Sequence, residues 1–177
     1  LLLQYNMEEN LLKSSDQIQD SIKNITKEIN TKFADKEVEL IALNLAPRFF
    51  IQDLLKRLEI PVRLQSLTFE HYSQSSESGE VNITKDLEFS VFDKHLIVVD
   101  GIIISGNTLF YISNYLKQRM PKSISIVCVG IKPKLLNKKL PNCYSLFNFN
   151  NEWVEGYGIG GEEYSSEKYL VDLKKSL

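Results

Sequence analysis

Six consecutive residues, His95-Leu96-Ile97-Val98-Val99-Asp100, limit the fold class more than anything else in this chain. Such a branched apolar run has no polar face to give to water, so it is expected as a parallel strand covered on both sides. Val38-Glu39-Leu40-Ile41-Ala42-Leu43 and Ser123 to Gly130 read as further buried strands. Val62 to Phe69 alternates apolar and polar residues well enough to be another. Leu146 to Phe149 and Trp153-Val154 suggest one or two more. Helical stripes lie between them. Ile18, Ile22, Ile25 and Ile29 follow spacings of 4, 3 and 4. Phe50, Leu54, Leu55 and Leu58 share one face of a helix that starts at Phe49 and is ended by Ile60-Pro61. Leu109, Ile112 and Leu116 share a face from Thr108 to Arg119. The polar tail from Glu162 to Leu177 is expected to hold a short helix. This alternation predicts an α/β fold, an open parallel sheet flanked by helices, in one domain of 177 residues.

Composition narrows the function classes. Apolar residues make up 43% and charged ones 25%, which is the balance of a globular chain. With 21 basic against 23 acidic residues, no nucleic-acid surface is expected. No apolar run is long enough to span a bilayer, so no membrane partner is expected either. Leu1-Leu2-Leu3 leads into Gln4 without a basic leader, so no signal sequence is expected. Cys128 and Cys143 are too few for a metal or disulfide framework, and Cys128 reads as a small core residue. A reducing, cytoplasmic setting follows as the expectation. Glu70 to Glu80 is polar and Ser-rich, cannot bury much apolar area, and is expected as a mobile loop. The Lys-rich stretch 132–139 reads as a surface connection.

The chemistry is concentrated after the central strand, in Asp100-Gly101-Ile102-Ile103-Ile104-Ser105-Gly106-Asn107-Thr108-Leu109. A strand ends in an acid, a short loop holds small and hydroxyl residues, and a helix begins. Backbone N–H groups then converge on one spot with the helix dipole behind them, which suits a phosphate. Gly106 lets the backbone approach an oxyanion, and Ser105 and Thr108 add hydroxyl donors. The bland reading stands beside this one: Ser105 or Thr108 caps the helix and nothing more. Open α/β sheets bind ligands at the carboxyl ends of their strands, where this loop falls.

Several segments in this order, from about Ile25 to Tyr169, resemble the hypoxanthine-guanine phosphoribosyltransferases. Leu96 to Leu109 is similar to that family's strand, acidic pair and ribose-phosphate loop. Ser78-Gly79-Glu80-Val81, followed by Lys85-Asp86-Leu87, resembles the end of its flexible loop. Pro121-Lys122-Ser123 resembles the lead into its next strand, and Ile131-Lys132-Pro133 its purine-reading turn. Trp153-Val154-Glu155-Gly156-Tyr157-Gly158 resembles its Phe-Val-Val-Gly-Tyr-Gly segment. The resemblance implies a type I phosphoribosyltransferase-like parallel sheet. It adds a small hood from the N-terminal segment and residues of about 145–177, and a flexible loop over 70–81. It implies the joining of a purine base to phosphoribosyl pyrophosphate, with magnesium, and a homo-oligomer, dimer or tetramer. Its partner is a purine nucleoside monophosphate. Ser105, Gly106, Asn107 and Thr108 would hold the 5′-phosphate and Asp100 the ribose hydroxyls. Lys132 would donate to the purine 6-oxygen, Trp153 would stack on the base, and the Val154 backbone would read the purine edge. Taken alone, a lysine in a surface turn reads as solvated and a lone tryptophan as core; the resemblance reverses both readings.

The departures are selective. The family pattern Glu-Asp-Ile-Ile-Asp-Thr-Gly stands here as Asp100-Gly101-Ile102-Ile103-Ile104-Ser105-Gly106. Gly101 removes one carboxylate, although Asp100 remains, the one metal-ligand candidate there. Ile104 takes the place of the aspartate that handles the purine N7 proton. The Leu-Lys-Gly pyrophosphate loop stands as Asn44-Leu45-Ala46, with Arg48 close by. The metal-holding aspartate of Leu-Asp-Tyr aligns with Gly160, and a pyrophosphate arginine with Ser166. Glu162 and Glu163 are the acids near it. Losing a positioned base costs about 10²–10⁴ in rate and losing an electrostatic donor about 10²–10³. The expectation is a purine nucleotide-binding protein with little or no transferase activity. Two alternatives stand: a working salvage enzyme with a rearranged site, and a structural or regulatory subunit.

Overall fold

The computed structural model describes residues 10–44, 46–71, 81–160 and 166–173. Strand β1 (Leu11–Lys13) leads into helix α1 (Ser15–Lys32), then β2 (Val38–Leu43), α2 (Arg48–Leu55), β3 (Val62–His71) and β4 (Val81–Lys85). The second half runs β5 (His95–Ile103), α3 (Asn107–Lys117), β6 (Ser123–Ile131), β7 (Asn142–Asn148), β8 (Val154–Glu155) and β9 (Leu170–Asp172). Six strands form one sheet in the order β4-β3-β2-β5-β6-β7. Every pair is parallel except β3 with β4. This is the open parallel sheet that the strand signals predict. A second, three-stranded sheet, β1-β9-β8, joins the two ends of the described chain.

The central strand explains the architecture. Along β5, Leu96 and Val98 enter one apolar cluster while Ile97 and Val99 enter the other, and all four are fully buried. A strand that feeds both cores cannot have a polar face, which is why the sequence is continuously apolar there. α1 starts where the physics is strongest: Ser14 Oγ accepts from Gln17 N–H, and Gln17 Oε1 accepts from Ser14 N–H, a complete capping box. Its Ile18, Ile22 and Ile29 are buried against the sheet, each contributing about 1.5–3 kcal/mol of apolar burial.

Several elements differ from expectation. The described part of the polar tail holds β9, a strand, instead of a helix. β9 exists because β1 and β8 pair with it on both sides. β7 begins at Asn142, four residues before the apolar Leu146, because its pairing with β6 satisfies the backbone of polar residues. β4 forms where the resemblance implied only a loop end. Glu70 and His71 belong to β3; Tyr72, Ser78, Gly79 and Glu80 lie outside the described residues. Among the described residues no helix is long and apolar enough to cross a membrane.

Candidate functional site

A cavity of about 580 Å³ opens at the carboxyl end of β5. One wall runs from Asp100 through Ile104 to Ser105, Gly106, Asn107 and Thr108. Asn44 and Ala46, after β2, supply a second wall, and Gly158, Ile159 and Gly160 a third. Leu45 lies outside the described residues.

The first wall ends in the start of a helix. Gly106 is the N-cap of α3, with φ +79, and no side chain caps the helix. A left-handed N-cap at the end of a strand turns the following N–H groups toward the cavity without a Cβ in the way. A Cβ at 106 would meet Leu136 Cδ1 at 2.8 Å, so glycine serves both conformation and space. Ser105 Oγ only accepts from Asn107 N–H, at a long 3.4 Å. The bland capping reading of Ser105 and Thr108 is therefore not what this helix start uses. The segment after β6 holds the loop from behind: Lys132 N–H donates to Ile103 O at 2.9 Å and Asn137 N–H to Ser105 O at 3.1 Å.

Charge in the cavity comes from Asp100. Its Oδ1 accepts from Gly101 N–H at 2.8 Å. Burial pushes its carboxyl up to about 6, and that hydrogen bond only partly offsets it. Gly101 offers no second carboxylate. Ile104, at the position where the resemblance implies an aspartate, is 49% exposed in the cavity wall. Exposing half an isoleucine there makes this stretch of wall apolar, able neither to take nor to give a proton.

The third wall is held rigid from outside. Tyr157, fully buried, donates its hydroxyl to Asp53 Oδ2 on α2 at 2.5 Å. Gln19 Nε2 donates to the same oxygen at 2.8 Å, and Arg57 to Gln19 Oε1 at 2.7 Å. Burial works against the Asp53 carboxylate, but the Tyr157 and Gln19 hydrogen bonds hold its pKa below the usual value. Burial and that carboxylate push the Tyr157 phenol well above its usual range. Gly160 has φ +88, and a Cβ there would lie 2.4 Å from Glu155 Cγ and 2.8 Å from its Oε1. Glu155 thus fills the space that a side chain at 160 would need. Sequence reading missed Glu155. The signal was its acid replacing the second valine of the resembled segment, next to an aspartate turned to glycine.

Other expected site residues lie apart from the cavity wall. Lys132 is buried in the turn after β6. Trp153 is 59% exposed, and its backbone N–H donates to Asp172 Oδ1 at 2.8 Å. Val154 is buried at the start of β8. The Arg48 guanidinium sits over the Phe49 ring at 5.0 Å, and Ser166 is exposed. Glu162 and Glu163 lie outside the described residues. Among the described residues no three His, Cys, Asp or Glu side chains cluster as a metal site.

A parallel sheet whose central strand delivers a helix start without a side-chain cap into an open cavity is the arrangement in which open α/β proteins bind ligands. Residues 12–160 match the family model described as the phosphoribosyl transferase domain. The chain is 32% identical over 165 residues to the hypoxanthine phosphoribosyltransferase of Buchnera aphidicola, covering 92% of each. It is 31% identical over 173 residues to the hypoxanthine-guanine-xanthine phosphoribosyltransferase of Tritrichomonas foetus, covering 96% of this chain and 93% of that one. It is also 31% identical over 175 residues to a bifunctional TilS/HprT protein of Listeria monocytogenes, but spans only 27% of that protein's length. Among solved structures, a Staphylococcus aureus hypoxanthine phosphoribosyltransferase superposes with a TM-score of 0.88 at 26% identity, covering 96% of this chain and 95% of that one. The chain belongs to the hypoxanthine-guanine phosphoribosyltransferase family.

Proposed function

We propose that this chain makes a purine nucleoside monophosphate from hypoxanthine or guanine and phosphoribosyl pyrophosphate, with its acids rearranged. The observation that carries the reading is the uncapped start of α3, which lines the same cavity as Asp100 and offers a seat for a 5′-phosphate. Relatives that match over nine-tenths of both chains are named for this reaction, which favours the working enzyme over the expectation of lost transfer. A Trypanosoma cruzi hypoxanthine phosphoribosyltransferase in complex with the product IMP has a TM-score of 0.85 at 25% identity, covering 93% of this chain and 94% of that one.

Ser105, Gly106, Asn107 and Thr108 hold the 5′-phosphate through backbone and hydroxyl donors. Asp100 accepts from the ribose hydroxyls when ionised. Lys132, Trp153 and Val154 serve the purine. Magnesium needs one or two carboxylates and otherwise takes oxygens from the substrate's phosphates. Asp100, in the wall, can supply one; Glu155, buried against Gly160 outside the cavity lining, would have to turn toward the cavity to supply a second. Bound there, the ion would offset the charge developing on pyrophosphate.

A second reading has its own observation. The half-exposed Ile104 leaves the purine proton without an acceptor, so nucleotide binding with little transfer follows. A steady-state assay of the purified chain with hypoxanthine or guanine, phosphoribosyl pyrophosphate and magnesium separates the two. Turnover above about 1 per second upholds the enzyme. IMP bound in a titration without turnover transfers the conclusion to the second reading.

A further inference from the structure

A second cavity, of about 410 Å³, shares no wall residue with the first. It runs along α3, which contributes Ser113, Asn114 and Lys117 from one stripe. Lys122, before β6, and Lys139 and Leu140, before β7, close it from the other side. No aspartate or glutamate lines it. Lys122 pairs with Asp93 at 3.6 Å in solvent, whereas Lys117 and Lys139 have no ion pair among the described residues. A further ammonium, that of Lys138, sits over the ring of the wall residue Phe110 at 5.5 Å. The carboxyl-terminal end of a helix dipole is negative, and Lys117 complements it, so the pull on an anion comes from the lysine side chains and not from the helix.

One atom in this wall is out of order. Ser113 is 2% exposed and its Oγ has no hydrogen-bond partner. Buried hydroxyls are nearly always satisfied, and one left without a partner inside a lysine-lined cavity marks a donor waiting for an acceptor. Ammonium, amide and hydroxyl donors around an apolar floor of Phe110 and Leu140 match a tetrahedral oxyanion carrying a small organic group. Leu140 also lies within 3.5 Å of the place where a Cβ on Gly106 would stand, so the side chain that lines this cavity packs close to Gly106 as well.

We propose that this second cavity binds a phosphate-bearing anion, independently of the phosphate loop. The test is a titration of the ¹⁵N-labelled chain with inorganic phosphate and, separately, with ribose 5-phosphate, at constant ionic strength. Saturable shifts are expected at the amides of Ser113, Asn114, Lys117, Lys139 and Leu140. Lys117→Gln with Lys139→Gln weakens that set at least about tenfold and leaves residues 105–108 within about twofold. Tighter binding of ribose 5-phosphate assigns the apolar floor to the organic group, and equal binding assigns the anion alone; the site stands in both cases. Shifts confined to residues 105–108, or an affinity unmoved by the double substitution, overturn it. Shifts in the second set alone uphold this site while removing the phosphate loop of the proposed function, so the two can fail separately.

Discussion

Set beside each other, the β5–α3 wall and the wall of residues 158–160 meet charge by different means. The first uses backbone: a left-handed Gly106, an uncapped helix start, and N–H groups that no substitution other than proline can remove. The second depends on which side chains stand there, and Gly158 and Gly160 bring none. Backbone devices survive sequence drift because only the turn's conformation must be kept. Side-chain charges are lost with one replacement each. On the proposed function the phosphate seat needs only its backbone, whereas the wall of residues 158–160 would need an acid from elsewhere, and Glu155, buried against Gly160, is the candidate.

The largest effect should come from restoring a proton acceptor. On the reading of little transfer, Ile104→Asp raises kcat by about 10²–10⁴ with the Kd for IMP changed only a few-fold. On the proposed reading, in which other acids already serve, kcat stays within about tenfold of the parent, and steady-state kinetics of the pair decide between them. The reverse operation tests the backbone device. Gly106→Val adds a branched side chain at φ +79 and within 2.8 Å of Leu136. IMP affinity should fall about 10²-fold in a calorimetric titration. Retention of wild-type affinity would show that the hydroxyls, and not the backbone, carry the phosphate.

The same contrast governs what the sequence could reveal. β5 and α3 were readable because apolar periodicity and a glycine-hydroxyl loop are local patterns, and the wall they build is local too. α1 was readable from Ile18, Ile22 and Ile29, although the stripe alone did not place its start at the Ser14–Gln17 box. β1, β8 and β9 are two or three residues each, too short for periodicity; Trp153-Val154 hinted at β8, but β1 and β9 owe their pairing to segments more than 150 positions apart and went unannounced. The Tyr157–Asp53–Gln19 network and the Glu155–Gly160 contact are equally invisible. They depend on turns at positive φ, at Tyr157 and Gly160, that place side chains where spacing rules do not look.

Asp100 gives a smaller effect with a definite sign. Its carboxyl sits near 6 in the folded chain, above the ordinary 3.8, so folding favours the protonated form. Its stabilising share is whole below pH 3.8 and is lost as pH rises through 6. Asp100→Asn should therefore be more stable than the parent by about 1–3 kcal/mol at pH 8, with no difference at pH 3, in paired denaturant melts. Nucleotide binding should run the other way, weakening in the parent as pH falls below 6, because a neutral acid accepts hydrogen bonds poorly. A flat binding profile would take Asp100 out of the ribose contacts.

The finest distinction concerns whether Glu155 and Gly160 behave as one unit. Gly160→Asp brings a Cβ to 2.4 Å from Glu155 Cγ at φ +88, so alone it should cost about 1–3 kcal/mol of stability. Glu155→Val removes the carboxylate and leaves γ carbons that can turn away from position 160, and the double variant should recover at least about 1 kcal/mol of that loss, a coupling that only residues in contact show. Metal binding supplies a readout that packing cannot mimic. With pyrophosphate present, manganese affinity followed by electron paramagnetic resonance should drop in Glu155→Val and return in the double variant, where the acid stands at 160 instead of 155. Coupling in stability without that return would make Glu155 a space-filler behind a glycine. The wall of residues 158–160 would then hold no acid for the leaving group at either position, and only the backbone wall would remain equipped for charge.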